Sequence, residues 1–202
     1  MIGEEYSKFR IDQMTIDALP DIVYHGTSEQ NRISLENGID LEYSKNYLDF
    51  GKGFYTTSNH QQAVDFAFRR AEFSNGNPII ISYNINKELF EQLTINCLIF
   101  DSPNEKWYEF IYNNRVKSEY MLSEFHNKNY EYDVVYGKVA DKDIGRLTRK
   151  AQKKQIDFQE FVRGIKPFDD YDQMSFHTIN SLKVLTISKI EIINDTKEVS
   201  LC

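Results

Sequence analysis

The chain is short of the residues that staple or interrupt a fold. Two cysteines in 202 residues are too few for a disulfide framework. Cys97 sits in an apolar run and reads as a buried hydrophobe, and Cys202 reads as a tail thiol. Four prolines and nine glycines exclude a collagen-like or low-complexity chain. Apolar runs such as Cys97–Phe100 fall far short of the roughly 18 residues of a membrane-crossing helix. Positive charge is the minority, 24 basic against 31 acidic residues for a net −7. That balance argues against wholesale non-specific nucleic-acid binding and leaves room for a local basic patch. The opening MIGEEYSKFR lacks the apolar core of a signal peptide. The expectation is a cytoplasmic protein, or one delivered without a cleaved signal, with no membrane partner.

What is present suits one globular domain: 41% hydrophobic, 27% charged and 14% aromatic residues. Residues 1–20 would be an N-terminal extension and 194–202 a tail. Ile22–His25 reads as a strand that ends at the turn-forming Gly26-Thr27-Ser28. Residues 29–50 read as irregular, with a turn at Asn37-Gly38. Residues 53–57 form a second strand. Ser58 and Gln61 have capping-box spacing ahead of a helix over 59–73, whose face carries Ala63, Phe66, Ala67 and Arg70.

Further strands are expected at 79–85, 93–100, 133–139, 173–176 and 186–193. Helices are expected at 87–92, 105–115 and 178–185, with one or two more in 141–163. Short strands interrupted by helices, without βαβ alternation, indicate α+β. Lys142, Arg146, Arg149, Lys150 and Lys153 share a helical face beside an apolar stripe of Ile144, Leu147 and Ala151. Such a face is either plainly solvated or steers an anionic partner.

Several chemistries lack their motif. Gly51-Lys52-Gly53 has neither the spacing nor the helix context of a phosphate loop, and no three-glycine dinucleotide fingerprint occurs. His25, His60, His126 and His177 show no metal-ligand spacing. No serine lies in a Gly-x-Ser-x-Gly setting, which leaves hydrolase readings little support.

Two segments stand out together, Tyr24-His25-Gly26-Thr27-Ser28 and Asp49-Phe50-Gly51-Lys52-Gly53-Phe54-Tyr55-Thr56-Thr57. With Tyr171-Asp172-Gln173-Met174-Ser175-Phe176 they resemble the ADP-ribosyltransferase superfamily, in the branch related to diphtheria toxin and the poly(ADP-ribose) polymerases. Asn114-Arg115 and Tyr132–Gly137 extend the likeness over about residues 20–190, to an uncharacterised bacterial family within that superfamily. The resemblance implies an α+β fold of two small packed sheets with flanking helices and an NAD cleft. It implies NAD as co-substrate, no metal, and transfer of a single ADP-ribose to a protein or nucleic-acid acceptor. It also suggests a toxin or effector role, with room for a neutralising antitoxin.

By the same resemblance His25, Tyr55 and Gln173 are the catalytic candidates. His25, Gly26, Thr27, Tyr55, Phe66 and Arg115 are the candidates for holding the dinucleotide. His25 would hold ribose hydroxyls, the backbone of Gly26 the carboxamide, and Tyr55 the nicotinamide ring by stacking. Phe66 is either a second stacking ring or a core residue of its helix. Arg115 either pairs with the pyrophosphate or sits as a cation at a helix C-terminus.

Two departures from the family pattern matter. Ala63 stands where polymerase-like members have a serine, so that contact is either absent or supplied by Thr27 or Thr56. Gln173 stands where Glu is usual, keeping the hydrogen bond and losing the charge. The charge would then come from Asp172 or Asp133, or the site would be slow. Some members without the Glu retain mono-transfer, whereas polymer synthesis is disfavoured. A non-catalytic NAD, ADP-ribose or partner-binding module is the alternative, and an interaction domain with a degenerate cleft is the third.

Overall fold

The computed structural model describes residues 16–193. The opening decapeptide, the tail and Cys202 lie outside the described residues. Among the described residues seven strands form two sheets. β1 (Ile22–Ser28), β3 (Pro78–Ile85) and β7 (Leu185–Ile192) make a three-stranded antiparallel sheet in the order β1-β3-β7. β2 (Phe54–Thr56), β6 (Pro167–Phe176), β5 (Val134–Ala140) and β4 (Cys97–Ile99) make the other, in the order β2-β6-β5-β4, with only β4 and β5 parallel. The helices flanking them are α1 (Arg32–Asn37), α2 (His60–Ser74), α3 (Lys87–Gln92), α4 (Glu105–Arg115), α5 (Ile144–Gln152), α6 (Phe158–Gly164) and α7 (Ile179–Leu182). The class is α+β, and no helix among the described residues is long and apolar enough to cross a membrane.

The period-2 alternation of strands distributes the apolar residues among three layers. On β3, Ile79 and Ile81 face a core shared with Val23, Phe54, Met174 and Phe176, where the sheets face each other. Ile80 points the other way, onto Ala63 and Ala67 of α2. That double burial explains the unbroken Ile79-Ile80-Ile81 run. On β5, Val134 joins the inter-sheet core, whereas Val135 faces Phe50, Trp107, Phe110, Leu147 and Phe161 under α4–α6. Ile16 and Leu19, within the expected extension, are buried in the inter-sheet core. The two sheets are stitched by one isolated bridge, with Tyr24 and Thr57 exchanging N–H···O bonds of 2.8 and 3.0 Å.

Several boundaries differ from expectation. Gly26-Thr27-Ser28 continues β1, in register with Ile80, Ile79 and Pro78. The glycine reflects close packing, since a Cβ there would lie 1.9 Å from the Ala63 carbonyl oxygen of α2. The helix cap is Asn59, whose side chain accepts from Gln62 N–H at 3.0 Å, because Ser58 is drawn away to Asp172. The 29–50 segment contains α1 and two 3-10 turns. β6 begins at Pro167 and β4 only at Cys97, while α7 ends at Leu182. Residues 141–163 form two helices, α5 and most of α6, with Lys142 ahead of α5 and Lys153 at its C-cap. Only Arg146, Arg149 and Lys150 of the basic set lie within α5, opposite the buried Ile144, Leu147 and Ala151.

Candidate functional site

At the seam between the sheets lies a cleft of about 310 Å³, lined by Tyr24–Gly26, Asp49, Tyr55, Phe66, Arg70, Arg115 and Gln173 among others. Of the sequence candidates only Thr27 is absent from its lining. Thr27 is buried, and its hydroxyl accepts from Asn31 Nδ2 at 2.9 Å. A wider, more open depression of about 450 Å³, beside Tyr112, Tyr120, Lys154 and Glu160, gathers none of the candidates.

Each wall has a local cause. Tyr24 bonds through its backbone to Thr57, on the side of β1 away from β3. Because N–H and C=O groups alternate sides along an antiparallel strand, those of Gly26 point the same way as those of Tyr24. The bridge ends at Thr57, so this backbone pair faces the cleft as an adjacent donor and acceptor. His25 Nδ1 donates to the Tyr55 carbonyl at 2.8 Å, since a carbonyl can only accept. Burial lowers the His25 pKa; the Tyr55 bond opposes the shift and the Arg70 charge adds to it. The ring is therefore a neutral imidazole whose Nε2 is an acceptor.

Tyr55 is fixed by its hydroxyl, which donates to Gly51 O at 2.7 Å and accepts from Phe50 N–H at 3.1 Å. Both partners belong to a tight turn in which Gly51 has φ +93°, a region that favours glycine. Burial is the main cause of the raised Tyr55 pKa, with the Asp49 charge second. The phenol is thus neutral and its ring is fixed in place. Phe66 lies on the cleft wall instead of in the apolar clusters, with the Arg69 guanidinium 4.2 Å from its ring centre.

The far wall holds a polar triad. Gln173 Nε2 donates to Asp49 Oδ2 at 3.1 Å and to the Lys138 carbonyl at 3.3 Å. Asp49 Oδ1 is ion-paired to Arg115 Nε, and Ala140 N–H reaches Oδ2 at 3.4 Å. Asp49 is only 5% exposed. Arg115 ends α4, but its side chain turns into the cleft toward Asp49 and not back along the helix.

Neither expected substitute for a carboxylate at position 173 faces this cleft. Asp172, on the opposite face of β6, accepts from the Thr57 hydroxyl, the Ser58 N–H and hydroxyl, and the Tyr136 hydroxyl. Asp133 accepts from Asn96 N–H and the Thr178 hydroxyl. The expected stand-ins for the missing serine differ too, because the Thr56 hydroxyl donates to Met174 O at 2.9 Å and Thr27 lies outside the cleft. Ala63 itself is buried where α2 crosses Gly26.

Asp49 and Arg70 are the residues that motif reading left without a role. Asp49 entered only as the first residue of the Asp-Phe-Gly-Lys-Gly block. Arg70 carried only helical spacing. Among the described residues no His, Cys, Asp or Glu side chains gather into a metal-binding group. Cys97 is buried, and burial pushes its thiol pKa up, which makes it inert as a nucleophile. Ser175 Oγ lies 2.8 Å from His177 Nε2, but both residues are buried away from the cleft.

No curated protein and no solved structure matches the chain. A family model described as "Protein of unknown function (DUF3990)" matches residues 22–187, from the first residue of β1 to within β7; the chain belongs to this family.

Proposed function

We propose that the cleft binds NAD and that the protein transfers a single ADP-ribose to a macromolecular acceptor, on a variant of the ADP-ribosyltransferase fold. One observation carries the reading. His25, Gly26, Tyr55, Phe66, Arg115 and Gln173, spread over about 150 residues of chain, line one cleft. Its volume lies at the lower end of the roughly 300–1,000 Å³ of ligand sites, which suits the nicotinamide–ribose end with the adenylate at the rim.

The chain's own groups fit that end of the molecule. The Gly26 N–H and C=O match the oxygen and amide hydrogen of a carboxamide. The Tyr55 ring is held flat for stacking. His25 Nε2 and the Gln173 carbonyl accept ribose hydroxyls. Arg70 and Arg115 supply positive charge for the pyrophosphate. In the reaction the bond from ribose C1′ to the nicotinamide nitrogen breaks, and its electron pair leaves with the neutral nicotinamide. An acceptor lone pair forms the new bond at C1′ and releases its proton to solvent. The site's task is to fix the ring and stabilise the cationic ribose.

Purified protein incubated with adenylate-labelled NAD and lysate should release nicotinamide and label an acceptor, and His25→Ala should weaken NAD binding at least about tenfold. No release, no label and no binding at millimolar NAD would end this reading. The alternative, a module that binds NAD without cleaving it, is favoured by one feature. The carboxylate that Gln173 donates to is already ion-paired to Arg115. Calorimetric NAD binding without turnover would select it.

A further inference from the structure

We propose that Asp49 is the positioning residue of this cleft. Its carboxylate fixes which end of the Gln173 carboxamide faces the ligand and carries the negative charge that a glutamate at 173 would have carried. The proposal rests on the NAD reading for its catalytic half only.

An amide side chain can present either oxygen or nitrogen. Here the choice is made by partners that cannot donate. Nε2 of Gln173 lies 3.1 Å from Asp49 Oδ2 and 3.3 Å from the Lys138 carbonyl oxygen. Both are acceptors only, so both amide hydrogens turn inward and Oε1 is left as an acceptor for the ligand. The frame behind it is rigid. The Lys138 carbonyl also accepts from the indole N–H of the fully buried Trp107 at 3.2 Å. Asp49 is held by Arg115 on one oxygen and approached by Ala140 N–H on the other.

This arrangement gives the glutamine a reason. A glutamate at 173 would set a second carboxylate about 3 Å from Asp49, whose partner Arg115 is already engaged, with Arg70 the further cation lining the cleft, so the close pair would favour taking up a proton on one of them. With glutamine the charge sits one hydrogen bond further back. The Asp49 carboxylate polarises the amide it accepts from, which makes Oε1 a stronger acceptor. In the transfer reaction that oxygen would hold a ribose hydroxyl as positive charge develops at C1′. No proton or electron passes through Asp49. It acts by orientation and field.

The test compares wild type, Asp49→Asn, Gln173→Glu and the double variant. Nicotinamide release gives kcat and KM, calorimetry gives NAD affinity, and urea unfolding at several pH values gives stability. Asp49→Asn should lower kcat on the order of a hundredfold with KM changed less than about threefold. Gln173→Glu should lower turnover, not raise it. Its stability should fall as pH rises, because a carboxylate with a raised folded pKa contributes below that pKa and loses the contribution above it. Adding Asp49→Asn to Gln173→Glu should abolish that extra pH dependence and bring turnover back to within about tenfold of wild type.

Higher turnover from Gln173→Glu alone, or single effects that merely add in the double variant, would overturn the proposal. The unfolding arm needs no NAD. Coupled stabilities without NAD binding would sink the NAD reading and leave the orientation intact. Turnover with uncoupled stabilities would do the reverse.

Discussion

Two aspartates near neighbouring positions of β6 are used in opposite ways. Asp172 accepts from Thr57, Ser58 and Tyr136, donors that carry no charge. Its backbone N–H and C=O are clamped by the Gln62 carboxamide at 3.0 and 2.7 Å. Helix α2 is thereby bolted to β6, and nothing of the carboxylate remains for a ligand. Asp49, facing the neighbouring Gln173, has a guanidinium on one oxygen and an amide on the other, and it borders the cleft. A carboxylate saturated by neutral donors builds a joint, whereas one shared between a cation and a cleft-facing amide builds a site. The alternation of one strand separates the two uses.

The largest effect should come from removing the joint. Asp172→Ala removes the acceptor of the Ser58 N–H and hydroxyl and of the Tyr136 hydroxyl, while the Thr57 hydroxyl keeps Gln62 Oε1 at 2.9 Å, and hydrogen bonds to a charged group contribute about 1.5–3 kcal/mol each. A loss of roughly 3–4 kcal/mol in urea unfolding is expected, with NAD affinity of the folded fraction little changed. A loss below about 1 kcal/mol, or an affinity loss as large as that of His25→Ala, would break the contrast between the aspartates.

Next in size is a pH effect beside the same strand. Burial lowers the His177 pKa to about 4, against the opposing bond to the Lys52 carbonyl at 2.8 Å. The native ring stays neutral where an unfolded one is charged, so stability is full above pH 6.5 and declines as pH falls toward 4. Each pH unit between those two values removes about 1.4 kcal/mol, a loss of roughly 3 kcal/mol by pH 4. His25, whose pKa is also lowered by burial, adds to the same slope. His177→Gln should be less stable at neutral pH, with a shallower acid limb. An unchanged acid limb would show that His177 is not the group being titrated.

How much of this was legible follows from how local each cause is. α3 and α4 begin and end where periodicity places them, because each has an Asn cap beside a regular apolar spacing. The first half of β6, Pro167-Phe168-Asp169-Asp170-Tyr171-Asp172, is rich in residues that strands disfavour. It pairs only in part, and the β5–β6 register shifts between Lys138 and Ala140. Gly26 looked like a turn because the helix that demands a glycine there arrives 37 residues later, at Ala63. The cleft residues within the sequence motifs could be named in advance. The role of Asp49 could not, since Arg115 and Gln173 lie 66 and 124 residues away.

The smallest expected effect falls on Tyr55, which belongs to both kinds of structure. Its hydroxyl holds the Phe50–Gly51 turn, and its ring borders the cleft. Tyr55→Phe removes the first role and keeps the second. The Gly51 carbonyl and Phe50 N–H lose a partner, a cost of about 1–2 kcal/mol in stability. The flat face remains, so NAD affinity should change less than about threefold. Asp49 is part of that turn, which the Gly51 N–H closes onto Leu48 O at 3.1 Å, so a looser turn would reach the cleft through Asp49 and Gln173. If Tyr55→Phe lowers affinity tenfold or more while costing little stability, the phenol oxygen itself touches the ligand, and the division of this side chain into an anchored end and a stacking face is wrong.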